Sequence, residues 1–159
     1  IRLHSTPGEG TIFHIFLPTV TQHALQKAAS VEAPPLGNER ILFVDDEKML
    51  VRMAETMLER LGYNVTIRTS SLEALTTFQN DPDAFDLVIT DYSMPGMAGI
   101  DLARRMLQIR PELPIILCTG FSTTISEEKA RAAGIKGFAM KPVAMKELSA
   151  LIRKVLDKK

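Results

Sequence analysis

Cysteine is almost missing from this chain: Cys118 stands alone among 159 residues. A single thiol excludes an internal disulfide framework and any zinc site built on several cysteines. Net charge is missing as well, since 19 basic residues balance 19 acidic ones. There is therefore no electrostatic footprint for nucleic acid or for an anionic membrane. Long hydrophobic runs are lacking too. Stretches such as Ile41 to Val44 fall far short of the roughly 20 apolar residues that cross a bilayer. The chain starts at Ile1 with no signal-peptide pattern, which leads us to expect a piece of a larger cytoplasmic protein. What is present is ordinary for a globular protein: 45% hydrophobic and 24% charged residues, a balance that argues against disorder. The length suits one domain and a short extra segment.

Composition divides the chain into three zones. Residues 1–18 read as a β-hairpin, with β-branched and aromatic residues on either side of Pro7-Gly8-Glu9-Gly10, a turn signal. Phe13, Ile15 and Leu17 fall on one face of its second strand and Ile12 and Phe16 on the other. Both faces ask for burial, so docking or self-association through the hairpin is expected. Residues 19–38, with Pro34-Pro35 and Gly37, read as a linker carrying a helical turn around Ala24 to Ala29.

From Glu39 onward strand and helix signals alternate. Short apolar runs predict strands over Arg40–Val44, Val65–Arg68, Leu87–Ile89, Pro114–Cys118 and Gly137–Met140. Helical spacing predicts helices that open at Asp45-Asp46-Glu47 and then cover Ser71–Gln79, Ile100–Arg110, Glu127–Ala133 and Met145–Leu156. Leu50, Met53, Ala54, Met57, Leu58 and Leu61 form the apolar side of the first helix. Met49 lies off that stripe, where methionine suits an adaptable docking surface for a partner helix. Five βα units predict an α/β, doubly wound fold, a parallel sheet with helices on both faces.

Ligands of such sheets sit beyond the carboxyl ends of the strands. Those ends carry Asp45 and Asp46, Asp91, Thr119 and Lys141. Taken singly these are a helix cap, a turn residue, a strand end and a solvated lysine. Taken together they place three carboxylates, a hydroxyl and an ammonium on one edge. Clustered carboxylates repel unless a cation joins them, and Mg²⁺ is the hard ion that shares its shell with phosphate. An aspartate in that setting can attack a phosphoryl group and form an acyl phosphate.

Residues 39–159 resemble a response-regulator receiver domain. Val44-Asp45-Asp46-Glu47 is similar to the family's acidic pocket, and Thr90-Asp91-Tyr92-Ser93-Met94-Pro95 with Gly99 to its phosphoacceptor strand and loop. Cys118-Thr119-Gly120 and Lys141-Pro142 resemble the last two signatures. The resemblance implies a flavodoxin-like sheet of strand order 2-1-3-4-5 with Asp91 as the phosphorylated residue. It further implies Mg²⁺ held by Asp45, Asp46, Asp91 and the Ser93 carbonyl, and Thr119 and Lys141 on the phosphoryl group. Phe138 stands where the family has its aromatic switch, paired with Thr119. Ser93 and Phe121 stand where it flanks the path of hydrolytic water, and Phe121 offers no hydrogen bond to that water.

Ile1 to Phe13, running on to Leu17-Pro18, is similar to the closing hairpin of a histidine-kinase ATPase domain. Hairpin, linker and receiver in that order imply the C-terminal part of a hybrid sensor kinase. Its receiver would take a phosphoryl group from a phosphohistidine-bearing kinase or phosphotransfer domain. The asparagine motif and glycine-rich boxes of the kinase are absent from the residues at hand, as is a phosphorylatable histidine in a dimerisation helix. This piece is therefore not expected to bind ATP, and it would only assist its own phosphorylation and dephosphorylation. His4, His14 and His23 have no metal-site spacing. No nucleic acid and no direct membrane contact are expected of the piece, although the parent kinase can be membrane-attached through other regions. Rival readings are a stand-alone response regulator and a non-phosphorylated docking module. A flavin-binding protein is disfavoured because Asp45-Asp46-Glu47 would repel the flavin phosphate. An aspartyl-phosphate phosphatase is disfavoured because Ser93 stands where its second carboxylate would be.

Overall fold

Gly8 and Gly10 take φ values of +84° and +108°, left-handed backbone that a Cβ opposes, and the chain reverses there. The reversal pairs β1 (Arg2–Thr6) with β2 (Gly10–His14) as an antiparallel hairpin, Arg2 opposite His14 and Thr6 opposite Gly10. The second strand stops at His14, opposite Arg2, short of the expected Leu17. Leu3, Ile12 and Phe13 are exposed. The computed structural model describes residues 1–17, 35–120 and 126–157. The helical turn expected around Ala24 to Ala29 and the site residue Phe121 lie outside them. The hairpin forms one compact unit by itself, and residues from 34 onward form the other.

In the second unit β3 (Arg40–Val44), β4 (Asn64–Arg68), β5 (Leu87–Asp91), β6 (Ile115–Thr119) and β7 (Gly137–Met140) form one parallel sheet ordered β4-β3-β5-β6-β7. This is the expected 2-1-3-4-5 order. Side chains alternate across each strand, so the core divides into two layers. Ile41, Phe43, Leu87, Ile89 and Ile116 pack against α1 (Lys48–Arg60) and α5 (Met145–Leu156). Leu42, Val44, Val88, Ile115 and Leu117 pack against α2 (Ser71–Asn80), α3 (Gly99–Ile109) and α4 (Glu127–Ala132). β5 and β6 are buried along their whole length, which explains why their sequences read as continuous apolar runs rather than alternating ones. Among the described residues no helix is long and apolar enough to cross a membrane.

The first helix departs from its expected face. Its buried residues are Val51, Ala54 and Leu58, whereas Met53 is 55% exposed. The stripe is rotated because the sheet, not the longest apolar run, decides which side faces in. Leu50, Met53 and Met57 are left beside α5 to line a cavity instead.

The foot of the sheet is clamped by charge. Arg153 of α5 donates to both carboxylate oxygens of Glu39 at 2.8 and 2.6 Å, a bidentate pair with both side chains at least three-quarters covered. The hydrogen bond from Arg153 holds the Glu39 carboxyl below its ordinary value of 4.5, against the opposing effect of burial. A carboxyl depressed in the fold stabilises it above the unfolded value, and that contribution is lost as pH falls through the folded value. Glu39→Gln is accordingly expected to lower stability at neutral pH by about 1 kcal/mol. The difference should shrink below about pH 4, as read from urea unfolding midpoints across pH. Asp86, lowered by its hydrogen bond from Arg40, leaves a residual acid dependence in that variant. A gap between wild type and variant that stays constant into acid would show that the clamp is inert.

Candidate functional site

Parallel register brings the polar strand ends to one edge. Asp91 lies opposite Cys118 and Thr119 opposite Met140. The chain leaving β3 is tied to its neighbour by a bond from the Asp45 N–H to the Arg68 carbonyl, 3.2 Å. The chain leaving β7 is tied by a bond from the Lys141 N–H to the Thr119 carbonyl, 2.7 Å. These bonds place Asp45, Asp91, Thr119 and Lys141 at the mouth of the sheet. The first three are buried, at 2%, 7% and 2% exposure, although all are polar.

Lys141 answers the burial of the two carboxylates. Its ammonium lies 2.5 Å from Asp45 Oδ2 and 2.5 Å from Asp91 Oδ1. Burial alone would lower the lysine's pKa, but the hydrogen bonds to Asp45 and Asp91 outweigh it and hold the value above the ordinary one. The second oxygens are also occupied: Asp45 Oδ1 accepts from the Glu47 N–H at 3.0 Å and Asp91 Oδ2 from the Ser93 N–H at 2.6 Å. Two carboxylates around one ammonium leave the pocket net negative, and every donor facing it is a hard oxygen. That set suits a hard divalent cation such as Mg²⁺. Among the described residues no three Asp, Glu, His or Cys side chains are gathered as a metal-holding group. Asp46 is exposed beside the buried pair.

The remaining expected residues are placed as follows. Thr119 ends β6, its hydroxyl 3.4 Å from the Gly120 carbonyl. Ser93 is exposed two residues beyond Asp91 in the loop after β5, and Phe138 is half-buried on β7, packed against the α2–α3–α4 layer. Met49 is 80% exposed on α1.

Two residues carry more of the site than their sequence signals suggest. Gly99 donates its N–H to the Tyr92 carbonyl at 2.9 Å, closing the loop after Asp91. A Cβ there would run into the Asp91 carbonyl and come within 3.0 Å of Thr90 Oγ1. Ser71, the buried first residue of α2, donates to the Met97 carbonyl at 2.6 Å and anchors the far side of the same loop. Its spacing from Asp91 gives no local signal, since the contact spans 26 residues.

The geometry has relatives. A family model described as the response regulator receiver domain matches residues 41–153. Sensor kinase CckA of Brucella abortus (strain 2308) is 28% identical over 167 residues, covering 99% of this chain and 18% of the kinase. The two-component response regulator ARR14 of Arabidopsis thaliana is 34% identical over 120 residues, covering 76% of this chain and 31% of that protein. The chain thus spans less than a third of either curated relative. The crystal structure of a response regulator receiver domain protein from Clostridium thermocellum superimposes with a TM-score of 0.72 at 31% identity, covering 76% of this chain and 95% of that one. Sheet order, the buried carboxylate pair and the matched residues agree: the chain belongs to the response regulator receiver domain family.

Proposed function

We propose that residues 39–159 are the phosphoacceptor receiver of a hybrid two-component sensor kinase and that Asp91 takes a phosphoryl group from a phosphohistidine. The observation that carries this reading is the burial of Asp45 and Asp91 around the Lys141 ammonium. Such an arrangement is costly for the fold by itself and suits a group that will carry phosphate. In the transfer the donor's P–N bond breaks and a P–O bond forms to an Asp91 carboxylate oxygen, leaving a neutral imidazole on the donor. Positioning and charge cancellation supply the rate. Lys141, kept protonated by its partners, turns from the Asp91 carboxylate to the phosphoryl oxygens, and the Thr119 hydroxyl binds another of them. Asp45, Asp46, Asp91 and the Ser93 carbonyl would hold Mg²⁺, which when bound supplies further neutralisation of phosphoryl charge. Thr119 and Phe138 then act together as the switch that reads the phosphorylated state.

The hybrid origin is supported by alignments that run through the hairpin. CckA and the aerobic respiration control sensor ArcB of Escherichia coli K12 each align over 99% of this chain, whereas ARR14 aligns over 76%. In that setting the parent is a cytoplasm-facing histidine kinase, and phospho-Asp91 passes its group to a phosphotransfer-domain histidine or to water. Ser93 and Phe121 tune the water route. The donor approaches along the start of α1, where Met49 is exposed. Intact mass after incubation with Mg²⁺ and a small phosphodonor tests the chemistry. Wild type is expected to gain one phosphoryl group and Asp91→Asn none. Equal labelling of both chains would move the acceptor elsewhere.

A further inference from the structure

The loop after β5 carries Ser93, whose N–H holds Asp91 Oδ2 at 2.6 Å. Backbone bonds fix the two ends of that loop. The Tyr92 N–H donates to the Cys118 carbonyl at 2.8 Å, and the Gly99 N–H to the Tyr92 carbonyl at 2.9 Å. The crest between them has little support of its own. The Met97 N–H reaches only to the Pro95 carbonyl, 3.0 Å away. Gly96, at φ +78°, has open space where a Cβ would stand.

One side chain ties the crest to another element. Ser71, at the start of α2, donates its hydroxyl to the Met97 carbonyl at 2.6 Å, and the same oxygen lies 3.7 Å from the Met94 sulfur. Among the described residues no other hydrogen bond joins residues 93–98 to an element distant in sequence. A serine at a helix start ordinarily accepts a bond from the first N–H groups of its own helix. Here the N-cap Ser70 makes no such bond, and the Ser71 hydroxyl is committed to the loop. Ser71 is 1% exposed, and a buried hydroxyl is costly unless it is bonded. The hydroxyl at position 71 therefore serves the loop and not the helix that carries it.

We propose that Ser71 is a positioning residue for the phosphoacceptor: it pins the crest of the loop at Met97 and so keeps Ser93 against Asp91. The inference rests on the reading of Asp91 as the phosphoacceptor. Ser71 acts only through the loop. Asp91 and the Ser93 carbonyl belong to the set that would hold Mg²⁺, and groups that orient such ligands tune the affinity of the site. Loosening the crest lets Ser93 wander from Asp91, so ion affinity falls with it.

The experiment compares the full 159-residue chain with Ser71→Ala, Ser71→Cys and Ser149→Ala. The last deletes a buried hydroxyl that donates to the Lys146 carbonyl within α5 and has no bond to the loop. Hydrogen exchange at the Ser93 amide is measured first, without metal. Ser71→Ala is expected to speed it about threefold to tenfold, the effect of one neutral hydrogen bond. An NMR titration with Mg²⁺ should show the affinity weakened by a similar factor. Ser71→Cys, close in shape but with only a weak donor, should fall between. Ser149→Ala should match wild type in both readings even where its melting temperature falls. With a small phosphodonor, Ser71→Ala should need more Mg²⁺ for half-maximal labelling of Asp91. Wild-type exchange at Ser93 in both Ser71 variants, or wild-type Mg²⁺ affinity alongside faster exchange, overturns the proposal. Equal changes in Ser149→Ala also overturn it, since Ser71 would then support the fold in general. A wild type that gains no phosphoryl group at Asp91 fails the receiver reading instead, and exchange at Ser93 still decides whether Ser71 holds the loop.

Discussion

Replacing Lys141 by methionine is expected to lower the stability of the metal-free chain by about 2–3 kcal/mol, roughly 5–10 °C in melting temperature. The substitution keeps the length of the side chain and removes its charge. Asp45 and Asp91, at 2% and 7% exposure, would then face each other with no cation between them. Removing one partner of a fully buried pair costs about 3–5 kcal/mol. The expectation here is lower because 28% of the Lys141 side chain remains exposed and water can reach the vacated place. Part of the loss should be recoverable with Mg²⁺, since a ligand of the native state stabilises it in proportion to its excess over the dissociation constant. The variant should therefore gain more from Mg²⁺ than wild type does. Thermal melting of both chains with and without the ion checks this. A variant that melts like wild type without metal would show that the ammonium does not hold the carboxylates together.

The second large effect belongs to Gly99. Alanine at this position is expected to destabilise the chain by about 1–3 kcal/mol, toward the upper end, and to slow phosphorylation of Asp91 sharply. Its φ is not left-handed, so the requirement for glycine is not conformational. It comes from contact: a Cβ would overlap the carbonyl of Asp91 itself. An obstruction by backbone cannot be relieved by turning a side chain. Either the start of α3 moves out, breaking the bond from the Gly99 N–H to the Tyr92 carbonyl, or Asp91 moves. Displacement of about 1 Å at a reacting group can cost two orders of magnitude in rate. Urea unfolding reports the stability, and the rate of mass gain with a small phosphodonor reports the chemistry. Wild-type behaviour in both measurements would mean that the loop absorbs the methyl group.

The two predictions show where local sequence stops being informative. The βα alternation from residue 39 onward was legible because each strand is a short apolar run and each helix has its own period, both local properties. Asp45, Asp91, Thr119 and Lys141 were legible as a set for the same reason: each directly ends or follows a strand, and parallel strands deliver their carboxyl ends to one edge. The receiver motifs then added roles that spacing alone leaves open.

Other features depend on how elements meet. Met53 turns outward from α1 against expectation, because six apolar residues besides it compete on that helix and only the sheet selects Val51, Ala54 and Leu58. Ser71 carries no motif, and its bond to the Met97 carbonyl exists only because α2 lies beside the loop. The sharing of one ammonium by two carboxylates, the collision that bars a side chain from position 99 and the cavity between α1 and α5 are likewise distances between segments far apart in the chain. The amino-acid sequence by itself determined the order of elements, which polar residues stand at the strand ends, and the family. The tertiary structure alone decided which groups pair and where space is left, because side-chain pairing and packing depend on through-space distances that hydrophobic period and motif spacing do not encode.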